Sequence, residues 1–293
     1  MCEAKFATKP LTLSFGAEIQ GLNLGDADDQ TVGKLESLLL QHRVLILRGQ
    51  SLTDEQLVAV SAKLGQLDIP APNPYGEPFH KAHPEINVIS NIVENDKPAG
   101  NLGSGEAVWH ADMTYLDTPP RAAILYSLEV PAEGGNTYFA DMHAAFATLP
   151  EDIKSQLDGK VAIHDASHNS AGIRRKGYEE VTDIRQTPGA RHPLVRVDVK
   201  TGREALFLGR RPRSYICGMS VAESDALLDK LWAHAEKPEF AISHQWRPGD
   251  VLMWSNLEVL HRRDSFDTTT RRKMHRTQIR SFWSETEPVE SAD

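Results

Sequence analysis

The chain reads as a mainly β protein with flanking helices, an antiparallel double sheet braced by helical segments. Three observations carry this. Apolar runs of strand length concentrate in the second half, and they follow one another in hairpin order. Helical periodicity is confined to early segments and insertions. With 293 residues, 40% of them hydrophobic, the chain can bury one sizeable core, and a single domain over 1–293 is expected.

The elements follow in order. Leu11 to Leu24 alternates weakly, with Gly16 and Gly21 as turn points, and predicts one or two short strands. Gln30 to Gln41 places Val32, Leu35, Leu38 and Leu39 at helical spacing. Val44 to Leu47 is a buried strand. Thr53 with Gln56 forms a capping box ahead of an amphipathic helix over Asp54 to Lys63. From Gly65 to about Gly105 the chain is rich in Pro, Asn and Gly, a loop broken by one strand at Ile86 to Ser90. Strands are expected at Ala122 to Val130 and Asn136 to Ala140, and a helix over Ala144 to Leu157. Ala166 to Arg191 is polar and aperiodic, the mark of a lid or insertion. Thr201-Gly202 joins strands at Leu194 to Asp198 and Glu204 to Leu208 as a hairpin. A helix at Ser220 to Glu236 precedes strands at Phe240 to Gln245, Asp250 to Trp254, Glu258 to His261 and Lys273 to Arg280.

Composition excludes several functions. A formal charge of -9 gives no global attraction to nucleic acid, and the cluster Arg210, Arg211 and Arg213 reads as a solvated loop. No run approaches the roughly 20 apolar residues of a membrane span, and the start lacks a signal-like apolar core. A cytoplasmic protein with no membrane partner is expected. The two cysteines, Cys2 and Cys217, make neither a disulfide framework nor a zinc ribbon, so any metal must be held by His and carboxylate.

The strongest local signal is Trp109-His110-Ala111-Asp112. In an extended segment His110 and Asp112 would share a face. A second His from elsewhere would complete a 2-His-1-carboxylate triad, which leaves open positions on iron. Alone, His-x-Asp is common. A pair of similar form, His83 with Glu85, lies in a Pro-rich loop without strand pattern. Downstream, His261 ends an apolar strand, a place equally suited to a packed histidine. Beyond it, Arg272, Met274 and Arg276 would share one strand face, with Arg280 continuing it. Arginines facing a core need anions, while on an edge strand the same face would lie in water.

Taken together these motifs resemble the taurine dioxygenase / 2,4-dichlorophenoxyacetate dioxygenase (TauD/TfdA) family. The resemblance runs from Gly16-Ala-Glu-Ile to about Arg280 and includes Val44 to Gln50, Trp109 to Tyr115, Gly134 to Phe139, Asp141-Met142, His234 to Phe240, Trp254 to His261 and Arg271 to Arg276. It implies a double-stranded β-helix (jelly-roll, cupin-like) core. It also implies Fe(II), 2-oxoglutarate as co-substrate, and O2. By position, His110, Asp112 and His261 match the iron ligands. Thr137 and Arg272 match the residues that hold the distal carboxylate of 2-oxoglutarate. Arg276 matches an arginine near the anionic end of the substrate, with Met113 and Tyr115 expected on the substrate side. Arg174, Arg175 and Tyr178 could reach substrate or simply be solvated, and the solvated reading is favoured.

The reaction implied is hydroxylation of a small carboxylate, sulfonate or sulfate, with succinate and CO2 as co-products. A ligand carboxylate at Asp112 favours hydroxylation over halogenation. Desaturation or cyclisation at the same iron site, or a non-catalytic jelly-roll binder, are the alternatives. The family resemblance also implies a homo-oligomer, dimer or tetramer, with loops at about 66–105 and 166–191 covering the site. Two departures stand out. Trp254-Ser255-Asn256 has Ser where the family often has Asp, which is expected to alter a hydrogen bond and not a ligand. Gly105 and Glu106 replace polar groups of the taurine enzyme, while Asn73, Tyr75, His80 and His83 are open candidates for its loop histidine.

Overall fold

The computed structural model describes residues 6–282 apart from 14, 71–76, 103–106, 170–171, 199 and 212. Asn73, Tyr75, Gly105, Glu106 and Cys2 therefore lie outside the described residues. Two sheets face each other. The larger runs, in spatial order, Ala7–Pro10, Ala17–Gln20, Val44–Leu47, Val251–Ser255, Ala122–Glu129, Lys273–Phe282, Asn87–Ser90 and Asn101–Leu102, with Gly65–Leu67 also paired to Lys273–Phe282. The smaller runs Ala241–His244, Thr137–Asp141, Val259–Arg263 and Ala107–His110. This is the jelly-roll architecture expected.

Period-two alternation decides which residues enter which layer. Val44, Ile46, Ala123, Leu125, Leu252 and Trp254 point into the space between the sheets, where Phe139 and Val259 of the smaller sheet meet them. Their immediate neighbours Leu45, Leu47, Ile124, Tyr126, Val251 and Met253 point the other way. There they pack on Val32, Leu35 and Leu39 of helix Asp29–His42 and on Leu57, Val60 and Leu64 of helix Asp54–Leu64. The strands are thus apolar on both faces, which is why they read as continuous runs. Helix Val221–Ala235 covers the outer side of the smaller sheet through Leu227, Leu228 and Leu231.

The helix starts are set by local chemistry. Thr53 and Gln56 form the reciprocal capping box, and Ser220 with Glu223 forms another. Asp141 caps helix Met142–Ala147 while its carboxylate pairs with the buried Arg43 at 3.1 Å.

Several elements differ from expectation. The helix expected over Ala144 to Leu157 is two, Met142–Ala147 and Glu151–Leu157, because Pro150 cannot donate into a continuous ladder. The Leu11 to Leu24 segment yields only Ala17–Gln20, preceded by Ala7–Pro10 and followed by a 3-10 turn at Leu24–Asp26. The Gly65 to Gly105 segment holds further short strands, among them a hairpin of Val93–Glu94 and Lys97–Pro98 turned by Asn95 and Asp96 at positive φ. A small third sheet of Arg191–Pro193, Val161–Ile163 and Tyr215–Ile216 has no counterpart in the sequence reading.

Candidate active site

His110 ends the strand Ala107–His110, and His261 lies in Val259–Arg263. The two strands pair with His261 directly opposite His110, so their ring centroids stand 4.2 Å apart. Asp112 arrives differently. The strand stops at His110, and Asp112 sits in a turn in which Met113 has a φ of 52°. The expected extended His110-to-Asp112 segment is therefore corrected: a turn, not side-chain alternation, brings the carboxylate to the imidazoles. Asn256 holds that turn. Its Oδ1 accepts from the Asp112 N–H at 2.7 Å, and its Nδ2 donates to the Asp112 and Pro120 carbonyls, each at 2.9 Å.

The donor atoms of these three residues all lie within 4.8 Å of one another. His110 Nε2 is 3.8 Å from Asp112 Oδ1, and His261 Nε2 is 3.9 Å from Asp112 Oδ2. His110 Nδ1 lies 2.7 Å from the Val108 carbonyl. A carbonyl only accepts, so Nδ1 carries the hydrogen and Nε2 keeps its lone pair for a metal. His261 is positioned by packing, its ring 5.1 Å from that of Trp254.

The electrostatics suit a cation. Burial, then the neighbouring His261, push the His110 imidazole down to about 3. Burial likewise lowers His261. Burial alone would raise the Asp112 carboxyl, but Arg276, His261 and His110 together outweigh it and hold it at about 2. At neutral pH the set is two neutral imidazoles and one carboxylate, the protonation state that metal binding needs. Arg276 Nη1 donates to both Asp112 oxygens, at 3.1 and 2.9 Å.

Deeper between the sheets, Thr137 is buried opposite Arg263 in the register, and its hydroxyl oxygen accepts from Trp246 Nε1 at 3.0 Å. Arg272 is 2% exposed and forms no salt bridge among the described residues, while its Nε lacks any hydrogen-bond partner. Burial, then Arg263, lower the Arg272 guanidinium to about 9. The Gly134-Gly135 turn passes close by: a Cβ on Gly135 would stand 3.7 Å from Arg272 Nε. A buried cation beside the Gly134-Gly135 turn, with no salt-bridged carboxylate among the described residues, calls for an anion from outside.

A cavity of ≈ 210 Å³ is lined by two of the three triad residues, His110 and Asp112. Met113, Tyr115 and Arg276 line it. Asn169, Arg175 and Arg210 line it too. Arg175 and Arg210 are corrections, since both were read as solvated. Arg175 stacks over the Tyr115 ring at 3.9 Å, and Arg210 Nη2 donates to the His168 carbonyl at 2.8 Å. On the sequence Arg175 is also a residue that could reach substrate, but no periodicity in either segment decides between cavity and solvent. Arg174 and Tyr178 are exposed as expected. Arg280 lies beyond the cavity, where it pairs with Asp68. His80 and His83 are not at the cavity. His80 bonds Asp54 at 2.8 Å and His83 bonds Glu55 at 3.2 Å, on the helical side of the larger sheet. Ser255 reaches Glu258 and Arg121 rather than a triad residue.

Comparison with known proteins places the chain. The model of the family described as "Taurine catabolism dioxygenase TauD, TfdA family" matches residues 7–278, and the chain belongs to that family. Among its relatives, the alpha-ketoglutarate-dependent 2,4-dichlorophenoxyacetate dioxygenase of Cupriavidus pinatubonensis is 33% identical over 91% of this chain and 95% of its own. The alpha-ketoglutarate-dependent sulfate ester dioxygenase of Pseudomonas putida is 32% identical over 89% and 88%. A taurine dioxygenase from Burkholderia xenovorans superposes with a TM-score of 0.76 at 31% identity, covering 94% of this chain and 89% of that one. No helix among the described residues is long and apolar enough to cross a membrane.

Proposed function

We propose that this protein is an Fe(II)- and 2-oxoglutarate-dependent dioxygenase that hydroxylates a small anionic organic molecule, with succinate and CO2 as co-products. Family membership supports the dioxygenase class and the use of 2-oxoglutarate and O2. The observation that carries the iron is the donor set itself, His110 and His261 through Nε2 and Asp112 through its carboxylate, with a cavity beside His110 and Asp112.

Bound there, iron(II) supplies O2 activation coupled to decarboxylation of the keto acid. The chain's own residues do the rest. Thr137 already accepts from Trp246, a group that can only donate, so its hydroxyl proton is left for the distal carboxylate of 2-oxoglutarate. Arg272 gives that carboxylate its counter-charge. Arg276 helps hold Asp112 ionised, and with a cation bound at Asp112 its guanidinium would be free to orient the anionic end of the substrate. Met113 and Tyr115 wall the substrate space. Segments 66–105 and 166–191 contribute Pro70, Asn87, Asn169 and Arg175 to the cavity, which supports their role as covers that exclude water in a single-domain enzyme. A cytoplasmic dimer or tetramer acting on small molecules completes the proposal. Family resemblance supports the assembly, and the net charge of -9 counts against a nucleic-acid partner.

The test is product analysis. Incubation with Fe(II), 2-oxoglutarate, O2 and a panel of small carboxylates, sulfonates and sulfate esters is expected to give succinate in step with a product one oxygen heavier, or its cleavage fragments. A product two hydrogens lighter would point to desaturation. A chlorinated product in chloride buffer would contradict the role given to Asp112.

A further inference from the structure

The arginines of the cavity outnumber the anions so far assigned to them. Arg276 projects from the larger sheet and meets Asp112. Arg175 and Arg210 come from two separate loops, and both line the same cavity. Neither forms a salt bridge among the described residues. Each is instead aimed by neutral groups: Arg210 by the carbonyl of His168, Arg175 by the Ala166 carbonyl at 3.3 Å and by the face of Tyr115. Asp165 and then Asp112 attract Arg210, but neither forms a salt bridge with it among the described residues; the Asp165 oxygens bond the Ser167 N–H and hydroxyl and His168. Burial, then the charge on Arg175, lower the Arg210 guanidinium. Two cations brought together, oriented by carbonyls and left without a carboxylate, make a receptor for an anion.

The remaining walls point the same way. Gln278, 4% exposed, lines the cavity with its Nε2 lacking any acceptor. Asn87 and Asn101 line it as a hydrogen-bonded pair. A substrate with one charged end and an apolar body would leave Gln278 Nε2 unsatisfied, at a cost.

We propose that Arg175 and Arg210 form a second anion subsite, so that the preferred substrate carries two anionic groups, one met by Arg276 and the other by Arg175 and Arg210. This rests on the dioxygenase reading and narrows its substrate class.

The test is anaerobic binding to the Fe(II)- and 2-oxoglutarate-loaded protein, read from the shift of its visible charge-transfer band. The probes are matched pairs that differ only by a second anionic group: propane-1-sulfonate with 3-sulfopropanoate, and phenoxyacetate with 4-carboxyphenoxyacetate. The dianion of at least one pair is expected to bind about tenfold or more tighter than its monoanion, the size of a charge-assisted hydrogen bond. In Arg210→Gln and Arg175→Gln that advantage should shrink several-fold, with the band before probe addition unchanged, and Arg210→Lys should recover part of it. Dianions that bind no better than their monoanions in both pairs, a preference that survives both substitutions, or a normal band that no probe shifts would each overturn the subsite. A missing band before any probe is added would instead be a failure of the iron and keto-acid reading.

Discussion

A carboxylate and two imidazoles hold a divalent cation well only if their donor atoms are aimed before the cation arrives. At Asp112 this aiming is done by a neighbour's amide. Asn256 is fully buried and spends its carbonyl and amide on the Asp112 and Pro120 backbone. Asn256→Ala would leave the Asp112 N–H and two carbonyls without partners, at about 1–3 kcal/mol for the buried groups exposed to this loss. It is expected to weaken metal binding by about tenfold to a hundredfold, in the range for residues that orient metal ligands. Metal titration followed by the charge-transfer band measures this, and an unchanged affinity would remove Asn256 from the site. In the sequence the residue was visible only as part of a family motif. Its function became legible once the turn at Met113 was seen to break the strand.

Among the elements, the larger sheet was legible because each central strand is apolar on both faces and bounded by turn residues. The start of helix Asp54–Leu64 was legible from Thr53-Gln56, while the Ser220-Glu223 box emerged only with the structure. The small sheet was not: Val161–Ile163 and Arg191–Pro193 are three residues each, and their partners are far away in the chain. That sheet leads into an unusual buried group. His164 is 1% exposed, stacks on Phe207 with centroids 5.1 Å apart, and has no hydrogen-bond partner on either ring nitrogen among the described residues. Burial, then His192, push it down to about 3 from an ordinary 6.5. Between these values the unfolded chain binds a proton at this residue that the folded one does not. Stability from this group is therefore complete above pH 6.5 and falls as the pH drops toward 3. The loss approaches about 1.4 kcal/mol per pH unit in mid-window. His164→Phe should abolish this share of the acid sensitivity. Any packing penalty is independent of pH and shifts the curve without changing its slope. Denaturant unfolding of both proteins across pH 4 to 7 reads the difference, and parallel curves would mean that His164 is not the buried neutral group described.

At the scale of the whole molecule, the two sheets do different work. The smaller sheet supplies His110, His261 and Thr137, and the larger supplies Arg276 and, just before its strand, Arg272. The site exists only when both sheets are packed, which is why no single segment of the sequence announced it and why the motifs carried weight only as a set. The family resemblance was enough to single out His110, Asp112, His261, Thr137 and Arg272 as candidates, although residue types and spacing alone left each of them open. Arg175 and Arg210 were hidden because loops of no regular pattern carry them to the cavity, and only folding shows which side of a loop faces inward.

The most direct test of the account is an anaerobic titration of metal-free protein with Fe(II) and then 2-oxoglutarate, followed by the visible spectrum. A metal-to-ligand charge-transfer band is expected in the wild type. It should be absent in His110→Ala and should require more 2-oxoglutarate in Arg272→Ala, with the band shape retained. No band in the wild type, or an undiminished one in His110→Ala, would contradict the assignment of His110, Asp112 and His261 as the iron-binding centre.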